Sequence, residues 1–143
     1  MKLIPCRNRG GGFTLIELLV VMAILAMLAG LVGPKVMNAL GESKSKTARV
    51  QLEELSAALD IYRLDTGNYP RSHHGLRALV ERVDGVENWN GPYLKKTKLP
   101  KDPWGAEYIY SFPGEHGDYD LYSLGADGAE GGDGEAKDIK GWE

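Results

Sequence analysis

The residues with most chemistry to offer lie near the C-terminus. From Leu124 the chain continues Gly125-Ala126-Asp127-Gly128-Ala129-Glu130-Gly131-Gly132-Asp133-Gly134-Glu135-Ala136-Lys137-Asp138-Ile139, acids spaced by glycines. A hard cation such as calcium takes about 6–8 oxygens, and a flexible loop can wrap carboxylates and main-chain carbonyls around one. The stretch is not an EF-hand. With Asp127-Gly128 set on that motif, Ser123 and Gly125 fall at early ligand positions and Gly134 falls where a glutamate belongs. Nor is it a complete nonapeptide calcium repeat. A solvated acidic tail has the same composition, so the residue types leave both readings open.

A second candidate is a single carboxylate, Glu17, inside an apolar run from Phe13 to Val32. Near a bilayer centre such a charge costs about 2.5–3.5 kcal/mol, and less at the edge. It therefore needs a partner or a purpose. The three histidines, His73, His74 and His116, raise the possibility of a membrane-anchored hydrolase, but none lies in a metal or nucleophile motif. His73-His74 is read as a surface loop, and no glycine-rich phosphate loop is present. The tryptophans and tyrosines are read as packing for a small domain or contact surface between subunits.

These candidates sit on elements the pattern predicts. As a helix the apolar run spans about 30 Å, the thickness of a bilayer's hydrocarbon core. Lys2, Arg7 and Arg9 precede it without an acid, which keeps residues 1–12 cytoplasmic and sends the rest outward. No pair of small residues separated by one occurs from Ala23 to Gly33, so an ordinary secretory cleavage site is missing. Ala26 with Gly30, and Ala29 with Gly33, put small residues four apart, a spacing that lets helix backbones approach. Pro34 is expected to kink or loosen a helix running from about Phe13 to about Asp65, with Gly67 as its stop. Ala48, Leu52, Leu55, Leu59 and Tyr62 share one face of its second half.

Beyond it, Ser72 is expected to cap a brief helix over Leu76–Val83, and Asp84 to Pro103 reads as loop. Glu107 to Phe112 and Tyr119 to Leu124 read as strands, joined by a hairpin loop over 113–118. The fold class is α+β: a long N-terminal helix packed on a small antiparallel sheet, with an ordered C-terminal loop. With 17 Lys and Arg against 20 Asp and Glu, and no basic block, nucleic acid is not an expected partner. The lone Cys6 excludes an internal disulfide.

Gly12-Phe13-Thr14-Leu15-Ile16-Glu17, after a short basic leader and before an apolar helix, resembles the processing signature of type IV pilins and pseudopilins. Leu64-Asp65-Thr66-Gly67-Asn68-Tyr69-Pro70, Gly75-Leu76-Arg77-Ala78-Leu79-Val80, Asp102-Pro103-Trp104-Gly105 and Ser123-Leu124-Gly125-Ala126-Asp127-Gly128 narrow the resemblance to the major pseudopilins of type II secretion. The alternative, a type IV pilus major pilin or another pilin-like subunit, fits less well, since type IV pilins usually close a C-terminal loop with two cysteines missing here.

The resemblance implies a pilin-like fold and a structural, non-enzymatic role. It implies cleavage between Gly12 and Phe13 by prepilin peptidase and N-methylation of Phe13. It makes 1–12 the leader, 13–33 the transmembrane and filament-core helix, 34–66 its amphipathic continuation and 67–143 a periplasmic globular domain. Glu17 would pair with a neighbouring subunit's terminus, and Pro34 would ease packing in the filament. Calcium would be held in loop 124–139 by Asp127 and Asp138 and the carbonyls of Leu124 and Ala129, with Asp133 added. Lys137 stands where some relatives carry a carboxylate. The implied partners are further copies in a homopolymer, minor pseudopilins, the inner-membrane assembly platform, a motor ATPase and an outer-membrane channel. Before assembly the subunit would sit in the lipid of the inner membrane as a single-pass protein.

Overall fold

The computed structural model describes residues 11–143, so Lys2, Cys6, Arg7 and Arg9 of the basic leader lie outside the described residues. The chain divides into two compact units, Met1–Met37 and Asn38–Glu143, and one helix, α1 (Leu15–Thr66), runs through both. In the first unit every described residue is exposed, apolar ones included. The helix contains a stretch long and apolar enough to cross a membrane, with a mean hydropathy of 2.8.

Pro34 lies inside α1, and the helix expected to kink or loosen there is continuous across it. Proline's fixed φ is itself helical, and the carbonyl its ring crowds belongs to residue i−4, which here is Gly30. The loss falls on one rung of a long ladder, held by the turns on either side.

In the second unit the predicted face is the buried one. Ala48, Leu52, Leu55, Leu59 and Tyr62, joined by Ala58, pack against Leu76, Leu79, Tyr108, Leu121 and Ile139. Full burial of one leucine is worth about 1.5–3 kcal/mol, so this face fixes the second half of α1 to the rest of its unit. The helix ends where expected. Gly67 takes a φ of 87° and donates its N–H to the Arg63 carbonyl at 2.8 Å.

The helix expected over Leu76–Val83 is a 3-10 turn spanning Gly75–Leu79. Ser72 does not cap it. Its hydroxyl donates to the Phe112 carbonyl and accepts from the Phe112 N–H, both at 2.8 Å. The segment from Asp84 to Pro103 forms neither helix nor strand, as expected. It is held by its aromatic rings: Trp89 Nε1 donates to the Ala78 carbonyl at 2.7 Å, and the Tyr93 hydroxyl donates to Asp65 at 3.0 Å.

The sheet has three antiparallel strands in the order β1 (Ile109–Ser111), β2 (Asp120–Ser123), β3 (Ile139–Lys140). Ile109 faces Tyr122 in the first pair and Ser123 faces Ile139 in the second. The first two strands are shorter than the sequence suggests. β3 was not foreseen, because two residues after a glycine-rich acidic run show no period.

Candidate functional site

The sequence-predicted site residues gather in two features, the start of α1 and the loop from Leu124 to Asp138. At the start of α1, Thr14 and Glu17 form a reciprocal cap. The Glu17 N–H donates to Thr14 Oγ1 at 3.2 Å, while the Thr14 N–H donates to Glu17 Oε2 at 3.1 Å. The Thr14 hydroxyl donates to the same oxygen at 3.3 Å. Two N–H groups that a helix start leaves without intrahelical partners are thereby satisfied, and helix begins at Leu15. Gly12 and Phe13 lie just outside it, non-helical and exposed. Glu17 was singled out in the sequence and Thr14 was not, although Thr-x-x-Glu before an apolar run is a recognised helix-start signature. Around Gly30 and Gly33 an added Cβ would meet nothing within 4 Å.

The second feature is the loop from Leu124 to Asp138. At its base Gly125 is buried with a φ of 68°, and a Cβ there would lie 2.8 Å from the carbonyl oxygens of Glu135 and Lys137. Only glycine accepts both the conformation and the approach. The Ala126 N–H donates to the Glu135 carbonyl at 2.8 Å, and the Asp138 N–H to the Gly131 carbonyl at 3.2 Å. The loop is closed on itself rather than being a free tail.

The five predicted ligand residues differ in setting. Asp138 is buried; its Oδ2 accepts from the Gly131 N–H at 3.0 Å, and its Oδ1 has no hydrogen-bond partner among the described residues. Asp127 is exposed and its Oδ1 accepts from the Ala129 N–H at 3.1 Å. Asp133 and Ala129 are exposed, and Leu124 is half-buried. Among the described residues no three acidic, histidine or cysteine side chains converge on one point. A cation here would lean on main-chain carbonyls as well as carboxylates, which suits calcium's oxygen preference. The unpartnered Asp138 oxygen fits such an ion, because a buried carboxylate oxygen without a donor is costly.

Two further buried carboxylates were missed. Asp102 accepts from the Ser123 hydroxyl and from two main-chain N–H groups. Asp120 accepts from the N–H groups of Glu115 and His116 at 3.0 Å each, and pairs with His116 Nδ1 at 3.1 Å. Burial pushes the Asp120 carboxyl upward, but these bonds outweigh it and hold the group below the usual carboxylate range. Asp102 opens the Asp102-Pro103-Trp104-Gly105 stretch that carries the family resemblance, but neither its burial nor that of Asp120 shows in the local pattern. His116 also stacks on Trp142, ring centroids 4.4 Å apart, while His73 and His74 pack on each other at 4.0 Å.

A capped, exposed apolar helix continuing into a small three-stranded antiparallel unit with a closed acidic loop defines a pilin-like subunit. Comparisons with known proteins agree. The model of the family described as type II secretion system (T2SS), protein G matches residues 35–142, and that of the prokaryotic N-terminal methylation motif matches residues 7–33. The type II secretion system core protein G of Pseudomonas aeruginosa is 48% identical over 141 residues, covering 96% of this chain and 98% of the relative. The Vibrio cholerae protein of that name is 43% identical over 134 residues, covering 92% and 90%. Among solved structures, the major pseudopilin from the type 2 secretion system of enterohaemorrhagic Escherichia coli matches with a TM-score of 0.62 at 35% identity, covering 76% of this chain and 95% of that one. The chain belongs to the type II secretion system protein G family. Its apolar helix and this membership are consistent with anchoring in the inner membrane.

Proposed function

We propose that the chain is a structural subunit of the type II secretion pseudopilus, cut between Gly12 and Phe13 by prepilin peptidase, methylated on Phe13 and polymerised through α1. The observation that carries this reading is the capped helix start. The scissile bond lies outside the helix, and beyond it the helix shows exposed apolar side chains with little else to do than meet lipid and then other copies. The apolar part anchors the precursor in the inner membrane with the unit from Asn38 in the periplasm. In the filament, Glu17 exchanges its bonds to Thr14 for the terminus of a neighbour. The role is structural rather than catalytic. Minor pseudopilins, the assembly platform, the motor ATPase and the outer-membrane channel complete the machine, whose work is export of folded proteins across the outer membrane.

Calcium in the loop is part of the same reading. Asp138 and Asp127 would hold the ion, with Leu124 and Ala129 supplying carbonyls and Asp133 within the loop to add a carboxylate. The ion supplies charge neutralisation and loop order. The supporting feature is the buried Asp138 oxygen without a donor.

Mass spectrometry of the N-terminus of protein purified from membranes tests the assignment. A chain beginning at methylated Phe13 is expected; one beginning anywhere in residues 23–34 would end it.

A further inference from the structure

We propose that Glu135 latches the acidic loop onto α1 at Gly41, and that this latch sets where the helix first gains support within the unit from Asn38 onward. Between residues 38 and 47 the only buried residue is Gly41. A glycine cannot bury itself with a side chain; something must lie on its backbone. That something is Glu135. A Cβ added to Gly41 would lie 2.7 Å from Glu135 Oε1 and 2.8 Å from Cδ, and closer still to Cγ. The side chain of Glu135 thus occupies the space that any other residue at position 41 would need.

The same residue closes the loop. Its carbonyl accepts the Ala126 N–H at 2.8 Å, and it sits inside the 3-10 turn Gly134–Ala136. One residue therefore ties the two arms of the loop with its main chain and lies against the helix with its side chain. The next buried position along α1 is Ala48, about two turns further on. With the latch closed, support for α1 begins at Gly41; with it open, support begins at Ala48. Glycine weakens a helix interior relative to alanine, so its presence here matches the close approach rather than the needs of the helix. The latch is separate from the metal reading: it needs a closed loop, which main-chain bonds already provide.

Amide hydrogen exchange on the full chain in detergent micelles tests it, comparing wild type with Glu135→Ala, Glu135→Gln and Gly41→Ala. Glu135→Ala should lower protection of amides 41–47 by about tenfold or more and leave 52–62 as in wild type. Glu135→Gln keeps the stem and should retain protection. Gly41→Ala is the decisive arm. Local propensity alone predicts a rise in protection at 41–47, because alanine is the better helix former; the latch predicts a fall, because the new methyl displaces Glu135. Unchanged protection in Glu135→Ala, a rise in Gly41→Ala, or an equal fall at 52–62 would each overturn the proposal.

Discussion

Ser123 donates its hydroxyl to the buried carboxylate of Asp102 across 2.5 Å, and is itself fully buried. The other Asp102 oxygen accepts from the N–H groups of Trp104 at 3.1 Å and Ala106 at 2.8 Å. Ser123 in turn accepts from the Gly125 N–H at 3.2 Å. A continuous polar chain therefore runs from the 102–106 turn through the end of β2 into the first residues of the acidic loop.

Ser123→Ala leaves a buried carboxylate oxygen without its donor and should cost about 1–3 kcal/mol. Asp102→Ala strips three donors at once and should cost more. Thermal melts read both, and a domain of this size loses about 4–8 °C per kcal/mol. Melting points within a degree of wild type for both variants would show that the chain of bonds contributes nothing to stability.

Much of the fold was legible because its signals are periodic or conformational. The face through Leu52, Leu55 and Leu59 follows from helical spacing, and the stop at Gly67 from the need for positive φ. The 3-10 turn at Gly75–Leu79 was misread as a helix because Ser72, a good cap by type, is used instead to bind Phe112, a residue distant in sequence. At the site the same division holds. Asp138 was marked by the family resemblance, whereas its burial and its unpartnered oxygen depend on tertiary closure. The burial of Asp102 and of Gly41 has no local mark, since what they meet comes from segments far along the chain.

The cap at the start of α1 separates two roles of Glu17. Glu17→Ala removes the carboxylate that caps the helix and that, in the proposed filament, would meet a neighbour. Thr14→Val removes the hydroxyl and leaves the carboxylate. Both variants should insert in the membrane and be processed at Gly12–Phe13. Only Glu17→Ala should lose most filament yield, as scored by cross-linked ladders of the subunit. Equal losses in the two variants would assign the assembly defect to the cap instead of to inter-subunit pairing.

Asp120 gives the unit a specific acid sensitivity. Its carboxyl is held below the ordinary value of about 3.9, so the unfolded chain takes up a proton before the folded one. The resulting stability is fully present above about pH 5 and is lost as pH falls through the folded value. Urea unfolding of wild type and Asp120→Asn should therefore show a difference that holds between about pH 5 and pH 6 and shrinks as pH falls below about 4. A difference that stays constant down to pH 2 would mean that the bonds from Glu115 and His116 do not favour the charged form.

Calcium should reverse the sign or size of a single substitution at Asp138. In chelator, Asp138→Asn removes a buried charge whose Oδ1 has no donor, and so should cost little or even stabilise. In calcium the same change would remove a proposed ligand and should then cost most of what the ion contributes. An ion held at 100 times its dissociation constant stabilises the folded state by about 2.7 kcal/mol. For a unit of this size that corresponds to a melting shift on the order of 10 °C. Chelation of the wild type should produce the same fall and open the segment from Gly125 to Ile139 to protease, and Asp127→Ala should resemble the chelated protein. Melts of the full chain in detergent, with calcium and with chelator, decide it. Superimposable curves for the wild type would leave the loop ordered by its main-chain bonds alone, from Ala126 to Glu135 and from Asp138 to Gly131.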